Sequence, residues 1–341
     1  MLLAGDIGGT KTVLALFATE LNTLHPQHEV TFWNRDFASL EDVILAFLKE
    51  TAEPITSACF GVAGPVVNGR SAITNLPWVI DAAAIQAAFG FPQVFLLNDL
   101  EAIASAIPYL TADDLITLNT GEPLPNGAIA VIAPGTGLGE AFLVWDGRSY
   151  QAHPSEGGHV SFGPINDEQM ELLTYMLAKF DHVSVERVCS GSGIPNLYGS
   201  LRHSGRYEEP DWLRQALVAA IDPTPVIINA ALESSEPICV ATLDLFLDIL
   251  ADEASNLALK VLSTGGVYLG GGIPPRILPQ LQQPRFLEVF SSKGRFSGLM
   301  QKMPIHVIRN PKSALYGAAY YGLNHPLRKK KKKEQLEAVS G

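Results

Sequence analysis

The apolar residues of this chain form short runs between turns, and these runs alternate with segments of helical spacing. In the first third, the pattern predicts three strands, a helix, a strand, a helix, a strand and a helix. Leu40–Lys49 has the clearest helical spacing there, and Ser39 is its predicted N-cap. Further along, Glu168–Phe180 and Leu243–Leu262 are predicted as long amphipathic helices. Strands that alternate with helices predict an α/β fold.

Three glycine-rich turns each adjoin an apolar, strand-like run. The first two share one plan, in which a strand enters a Gly/Thr turn and a second apolar strand leaves it. Glycine in such a turn allows backbone N–H groups to converge on phosphate oxygens, although a single turn of this kind is also typical of an ordinary hairpin. Together they indicate a duplicated nucleotide-binding fold with one phosphate loop per half. The turns are Gly5–Thr10, Ala133–Gly139 and Gly265–Gly272.

Neither of the first two turns has the spacing of a P-loop. The first is not a dinucleotide fingerprint either, because Thr12–Phe17 alternates like a strand instead of opening a helix. Asp6 ends an apolar strand, where a carboxylate is costly to bury unless it meets a cation, a water molecule or a donor. The first turn therefore carries a candidate polar group beside its phosphate loop.

A second carboxylate, Asp99, lies between the apolar strand Val94–Leu97 and the helix predicted for Leu100–Ile107. Such a junction exposes a side chain at the carboxyl edge of a sheet. With an ordinary pKa near 4, Asp99 would be ionised at neutral pH and able to accept a proton. The residues alone are equally consistent with Asn98 or Asp99 capping the helix.

Five motifs of this chain occur in the order and spacing of the bacterial ATP-dependent glucokinase family, part of the hexokinase, heat-shock-protein and actin superfamily. The resemblance runs from about Leu3 to Gly322, nearly the whole chain. The motifs are Asp6–Lys11, Leu97–Asp99, Gly135–Gly139, Glu156–His159 and Ser184–Arg187.

The resemblance implies a two-domain, duplicated ribonuclease H-like fold of the actin and hexokinase type, with the active site in the interdomain cleft. A small α/β domain is expected over residues 1–107 and about 311–324, with the first phosphate loop and the catalytic Asp. A large α/β domain is expected over 108–310, with the second phosphate loop, the sugar-binding residues and the adenosine loop. Residues 325–341 are expected to form a disordered basic tail.

The resemblance also implies a reaction, the transfer of the ATP γ-phosphate to the 6-hydroxyl of glucose to give glucose 6-phosphate and ADP. Asp99 would be the general base. Asn75 is a weaker sugar-binding candidate, since an Asn close before Pro77 is nearly as well explained as a turn residue. The other expected sugar-binding residues are Asn98, Asp99, Glu156, His159 and Glu186.

For the nucleotide, the resemblance implies contacts from three glycine-rich segments. Asp6 would bind Mg²⁺, through water, because this ion keeps much of its hydration shell. No structural zinc is expected, since no cysteine lies near His159 in the sequence. The implied phosphate-binding residues are Gly8, Gly9, Thr10, Gly135 and Thr136, and the implied adenosine-binding residues are Gly270 and Gly271.

Composition fits an enzyme with a sizeable core, since the chain has 341 residues of which 47% are hydrophobic and 17% charged. Its net charge of −11 argues against a nucleic-acid binder.

Neither a membrane-spanning helix nor a signal peptide is expected, so the cytoplasm is the expected compartment. The three widely spaced cysteines are expected to be buried and reduced. The cationic run Arg328–Lys333 is typical of a solvated end, with a membrane-surface or acidic partner as the alternative.

Two other functions remain open from the sequence. One is a related sugar kinase acting on another hexose or an amino sugar, and the other is a non-catalytic sugar sensor. The presence of Asp99 favours an enzyme. The resemblance further implies a homodimer. Lys293 and Arg295 are predicted to be solvated surface residues in a loop.

Overall fold

The computed structural model describes residues 1–18, 25–51, 53–73 and 76–325. The chain divides into two compact units. The first comprises 1–111, 150–154 and 310–341, and the second comprises 112–149 and 155–309. The short segment 150–154 falls in the first unit, which the sequence-based boundaries did not anticipate. The basic run Arg328–Lys333 lies outside the described residues.

The first unit contains a mixed sheet and its helices, and the predicted strands and helices are present within a residue or two. Two short strands, β5 and β6, escaped the sequence pattern because they have only three residues each. A C-terminal helix covers residues 313–325. The other elements are β1 (Leu2–Ile7), β2 (Lys11–Phe17), β3 (His28–Trp33), α1 (Leu40–Leu48), β4 (Ser57–Val62), β5 (Arg70–Ala72), β6 (Val79–Asp81), α2 (Ala82–Phe89), β7 (Val94–Asn98) and α3 (Asp99–Ala106).

The sheet of the first unit has the order β3-β2-β1-β4-β7. β1 is antiparallel to β2 and parallel to β4, and β4 is parallel to β7. In this register Asp6 lies opposite Gly61, and Val62 lies opposite Asn98. Because the carboxyl ends of parallel strands meet at one edge of a sheet, Asp6 and Asn98 lie at the same edge, on two strands that β4 separates.

Side-chain alternation along β1 builds two apolar layers. Leu3 and Ile7 pack with the buried face of α1, where Ser39 accepts a hydrogen bond from the backbone of Asp42 as the predicted N-cap. Leu2 and Ala4 pack on the other face with the C-terminal helix. Asp6 has the parity of Leu2 and Ala4, so it faces the same layer, which also contains Ala102 of α3.

The second unit repeats the plan of the first. β9 (Ile129–Pro134) and β10 (Leu138–Trp145) form an antiparallel hairpin, β12 (Gly266–Leu269) is parallel to β9, and β13 (Ile305–Ile308) is parallel to β12. Between residues 112 and 309 the chain contains β8 (Leu115–Asn119), β9 (Ile129–Pro134), β10 (Leu138–Trp145), β11 (Tyr150–Ser155), α4 (Asp167–Leu177), α5 (Ile194–His203), α6 (Asp211–Ala219), α7 (Pro223–Glu233), α8 (Pro237–Val261), β12 (Gly266–Leu269), α9 (Leu278–Leu281), α10 (Pro284–Ser291), α11 (Ser297–Gln301) and β13 (Ile305–Ile308).

Helix α8 is the central helix of the second unit, with 25 residues and an extensive buried surface. It also presents acidic side chains to cations of the following segment. Lys293 donates to Asp252 at 2.5 Å and to Asn256 at 2.7 Å, and it is largely buried. The prediction of a solvated Lys293 is therefore wrong, because two residues of α8 remove it from water.

Two sequence-based expectations concern the chain as a whole. Cys59, Cys189 and Cys239 are free and buried, as predicted. Within the described ranges, no helix has the length and apolar character needed to cross a bilayer.

Candidate active site

The turn between β1 and β2, predicted to be the first phosphate loop, is held by a buried asparagine. Asn34 Nδ2 donates to the carbonyl oxygen of Gly8 at 2.8 Å, and the Thr12 hydroxyl donates to Asn34 Oδ1 at 2.8 Å. The backbone N–H of Asn34 also donates to Thr10 O at 3.0 Å. Sequence reasoning missed Asn34, because nothing in its local sequence indicates a contact with a turn more than twenty residues earlier.

The turn is built without a left-handed glycine at its two glycine positions. Neither Gly8 nor Gly9 has a positive φ, and the N–H of Gly8 is used by the carbonyl oxygen of Lys11 at 3.0 Å. Gly8 therefore cannot donate its amide to a phosphate without breaking the turn. The amides of Gly9 and Thr10 are the ones left for that role.

The carboxylates of Asp6 and Asp99 lie close enough to affect each other. The pKa of Asp6 is raised to about 6, first by burial and second by the charge of Asp99, while the Lys11 ammonium opposes the rise. A cation beside Asp6 would relieve this repulsion. The structure thus places two of the predicted site residues together within the first unit.

Asp99 begins α3, and the expectation of an ordinary pKa is wrong. Its side chain is exposed to solvent on one side, but the surrounding protein is dense enough for desolvation to raise its pKa. A hydrogen bond from the Leu100 amide to Asp99 Oδ1 at 2.9 Å opposes the rise. A carboxylate with a raised pKa is a better proton acceptor than an ordinary aspartate.

Asn98 is the N-cap of α3. Its Oδ1 accepts from the amide of Glu101 at 2.6 Å, and the Glu101 carboxylate accepts from the Asn98 amide in return. This reciprocal arrangement is a capping box. The capping role left open by the sequence is therefore real, and a sugar contact by Asn98 would use Nδ2. Burial raises the pKa of Glu101 to about 7.

The second phosphate loop joins β9 to β10 and is held by backbone bonds from a neighbouring segment. Gly191 N donates to Gly135 O at 2.7 Å, and Ser192 N donates to Thr136 O at 3.1 Å. A Cβ placed on Gly135 would meet no atom within 4 Å. Space for a ligand is therefore open beside Gly135.

Three predicted sugar-binding residues of the second unit come together. His159 lies between two carboxylates, with Nδ1 at 3.9 Å from Glu186 Oε1 and Nε2 at 3.8 Å from Glu156 Oε2. These separations are too long for hydrogen bonds. Glu156 and His159 are largely exposed, whereas Glu186 is mostly buried. The cluster can therefore accept hydroxyl groups of a ligand between its members.

The glycines of this loop also serve packing, and the bending role expected for them stays a prediction. Neither Gly157 nor Gly158 has a positive φ. A Cβ on Gly157 would overlap the carboxylate of Glu140, and a Cβ on Gly158 would overlap the carbonyl oxygen of Leu138. The loop of residues 156–159 therefore packs directly on β10.

The remaining predicted site residues are Gly270, Gly271 and Asn75. Gly270 N donates to Ile132 O at 2.9 Å. Gly271 has a φ of +80°, and a Cβ there would lie 2.5 Å from Pro134 O, so packing alone requires glycine. A contact of either glycine with adenosine stays a prediction. Asn75 lies outside the described residues.

The two α/β units, each with a hairpin phosphate loop, define a two-domain ATPase fold of the actin and hexokinase type, as predicted. The family model described as Glucokinase matches residues 3–325, and the chain belongs to the glucokinase family. The glucokinase of Nostoc punctiforme is 42% identical over 333 residues, covering 94% of this chain and 98% of the relative. That of Synechocystis sp. is 36% identical, covering 93% and 96%.

Solved structures agree with this assignment. The crystal structure of a glucokinase from an Antarctic psychrotroph matches with a TM-score of 0.84 and 34% identity, covering 95% of this chain and 98% of that chain. A glucokinase from Balamuthia mandrillaris, solved in complex with glucose, matches with a TM-score of 0.76 at 22% identity, covering 94% and 93%. At that identity the likeness concerns the fold.

Proposed function

We propose that this chain transfers the γ-phosphate of ATP to the 6-hydroxyl of glucose, giving glucose 6-phosphate and ADP. The observation that carries the proposal is the cluster of Glu156, His159 and Glu186 attached to the second phosphate loop. Glu186 Oε2 accepts a hydrogen bond from the Leu138 amide at 2.9 Å, so a sugar-binding group and a phosphate-binding loop share one rigid contact. Family membership supports the same reaction.

Asp99 acts as the general base in this proposal. As the 6-hydroxyl oxygen attacks the γ-phosphorus, the Asp99 carboxylate accepts the hydroxyl proton, and the bond between the γ-phosphorus and the leaving ADP oxygen breaks. The raised pKa of Asp99 strengthens it as an acceptor. Hydrogen bonds from the amides of Leu100 and of Asp99 itself oppose this rise in pKa.

The sugar is held by planar polar groups. Carboxylate oxygens of Glu156 and Glu186 accept from hydroxyls, and the imidazole of His159 contacts hydroxyls between them. Asn98 contributes Nδ2, because its Oδ1 is used by the helix cap. Asn75 remains a proposed contact from the first unit.

The nucleotide is held by backbone amides in this proposal. Gly9 and Thr10 serve the first phosphate loop, with Gly8 shaping the turn, and Gly135 with Thr136 serves the second. Gly270 and Gly271 lie against adenosine. Asp6 would hold Mg²⁺ through water, and such an ion would supply positive charge for the phosphates. The donor set fits such an ion, because the carboxylates of Asp6 and Asp99 repel each other and a cation between them would relieve that repulsion.

An ADP-release assay tests the proposal. Glucose, mannose, fructose, N-acetylglucosamine and N-acetylmannosamine are each offered with ATP, ADP or polyphosphate as the donor. Fastest ADP release with glucose and ATP is expected. Preference for another sugar would indicate a related kinase, whereas glucose binding without ADP release would indicate a sensor.

We also propose that the protein is a homodimer in the cytoplasm, and analytical ultracentrifugation checks the oligomeric state.

A further inference from the structure

A buried glutamate supports the loop that carries Glu156 and His159. Glu140 belongs to β10, opposite Ile132 of β9, and only 1% of its surface is accessible. The carboxylate lies directly beneath Gly157, where even one methyl group would overlap its Oε2 atom. The position of this carboxylate therefore limits where the loop of residues 156–159 can lie.

A second buried glutamate faces Glu140. Glu253 belongs to α8 and is 5% accessible, and the two carboxyl groups lie within hydrogen-bonding reach of each other. The Oε1 atom of each is buried without a donor among the described residues. Two ionised carboxylates offer only acceptors, so they cannot satisfy each other. One proton between the two groups allows an O–H···O bond from one carboxyl to the other.

The charges around the two carboxyl groups favour a single proton. Lys260 Nζ lies 3.5 Å from Glu253 Oε1 and is the cation that faces the two groups. Cys189 is also close, and burial and both glutamates raise the pKa of its thiol, so it stays neutral. Asp252, the neighbour of Glu253 on α8, is already paired with Lys293. One carboxylate plus Lys260 is neutral, whereas two carboxylates leave an uncompensated buried charge.

We propose that Glu140 and Glu253 share one proton and act as positioning residues that hold the Glu156–His159 loop in its sugar-binding conformation. The burial of Glu140 and the charge of Glu253 raise the pKa of Glu140 to about 8, in agreement with a retained proton at neutral pH. The second ionisation belongs to the pair and not to one residue. This inference rests on the proposed role of the loop in sugar binding.

Loss of the shared proton weakens sugar binding. Above about pH 8 both groups become ionised, and their repulsion displaces the Glu140 carboxylate that lies under Gly157. The glucose KM of the wild type should therefore rise on the order of tenfold between pH 7 and pH 9.5. The ATP KM should change less, because the Glu140 carboxylate lies under Gly157 of the loop that carries Glu156 and His159.

Glu140→Gln is the decisive variant. The amide keeps the shape of a protonated carboxyl and donates to the Glu253 carboxylate, so glucose KM at pH 7 should stay within about twofold of wild type. The alkaline rise in KM should disappear. Glu253→Gln is the matched control from the other side of the pair and should behave in the same way. Glu140→Ala should raise glucose KM at every pH. An alkaline rise that persists in Glu140→Gln would overturn the proposal.

A second measurement does not depend on the proposed function. The native pair holds its proton up to about pH 8, whereas an unfolded glutamate loses it near its reference value of 4.5. Between these pH values the unfolded wild type is ionised and the native pair is not, so the free energy of unfolding of the wild type falls as the pH rises. The thermal midpoint of Glu140→Gln minus that of wild type should therefore grow from pH 5 to pH 8 and then level off. A flat difference would refute the shared proton, even if the enzyme proved to act on no sugar.

Discussion

The carboxylate of Glu186 accepts a 2.9 Å hydrogen bond from the backbone amide of Leu138. A Cβ on Gly137 would overlap the same carboxylate, so the second phosphate loop closes directly on this side chain. Its other oxygen faces His159 at 3.9 Å. Glu186 thus contacts both the proposed sugar cluster and the proposed second phosphate loop, and this double contact distinguishes it from Glu156.

The first prediction follows from this difference. Glu186→Ala should raise the KM for both glucose and ATP, because it leaves the Leu138 amide unpaired and loosens the loop, at a cost of about 1–3 kcal/mol. Glu156→Gln should raise the KM for glucose alone, since Glu156 is exposed and its contact is with His159. Steady-state kinetics with each substrate varied in turn provides the check. Equal effects of the two variants on ATP would contradict the double role of Glu186.

Asp99→Asn should reduce kcat by about 10²- to 10⁴-fold, the range for loss of a general base. Glucose binding, measured by calorimetry, should survive, because an amide of the same shape still accepts from the Leu100 amide. Asp36→Asn is a suitable control, since Asp36 is an exposed carboxylate of the same unit. Turnover of Asp99→Asn within threefold of wild type would remove Asp99 from the mechanism.

Asp6→Asn should stabilise the protein while reducing its activity. The native Asp6 carboxyl binds its proton up to about pH 6, whereas in the unfolded chain it ionises near 3.8, so this group lowers wild-type stability as pH rises between those values. At pH 7 the variant should gain about 1–3 kcal/mol in the free energy of unfolding, and at pH 3 the gain should vanish. Urea unfolding at both pH values measures it. A gain of the same size at pH 3 would point to a cause other than ionisation.

Gly135→Ala should leave stability unchanged but weaken ATP binding. The new methyl group enters open space, so the fold tolerates it, but that space is the proposed position of a phosphate. Gly163→Ala is the matched control, because its Cβ would also meet no atom within 4 Å and the residue lies outside the phosphate loop. Thermal unfolding of both variants tests the expected stability, and the ATP KM of both variants tests the expected loss of ATP binding. Unchanged ATP affinity in Gly135→Ala would exclude this loop from nucleotide binding.

Local features of this chain were predictable because short-range physics determines them. The apolar strand Ser57–Val62 and the last strand Ile305–Ile308 have the predicted bounds. The N-cap of α1 at Ser39 also agrees, since a cap depends on a bond between residues three apart. A signal for Glu140 was present as well, because it interrupts an apolar strand in the same way as Asp6 does.

The sequence by itself determined the α/β pattern, the glycine turns and the residue types of the site, because strand alternation, helical spacing and motif order are written along the chain. Only the tertiary structure decided the protonation of those residues and their contacts. Burial and the charge of Asp99 raise the pKa of Asp6, and Glu140 meets Glu253 across more than a hundred residues. Desolvation and charge coupling depend on which distant segments pack together, and no local pattern encodes that packing.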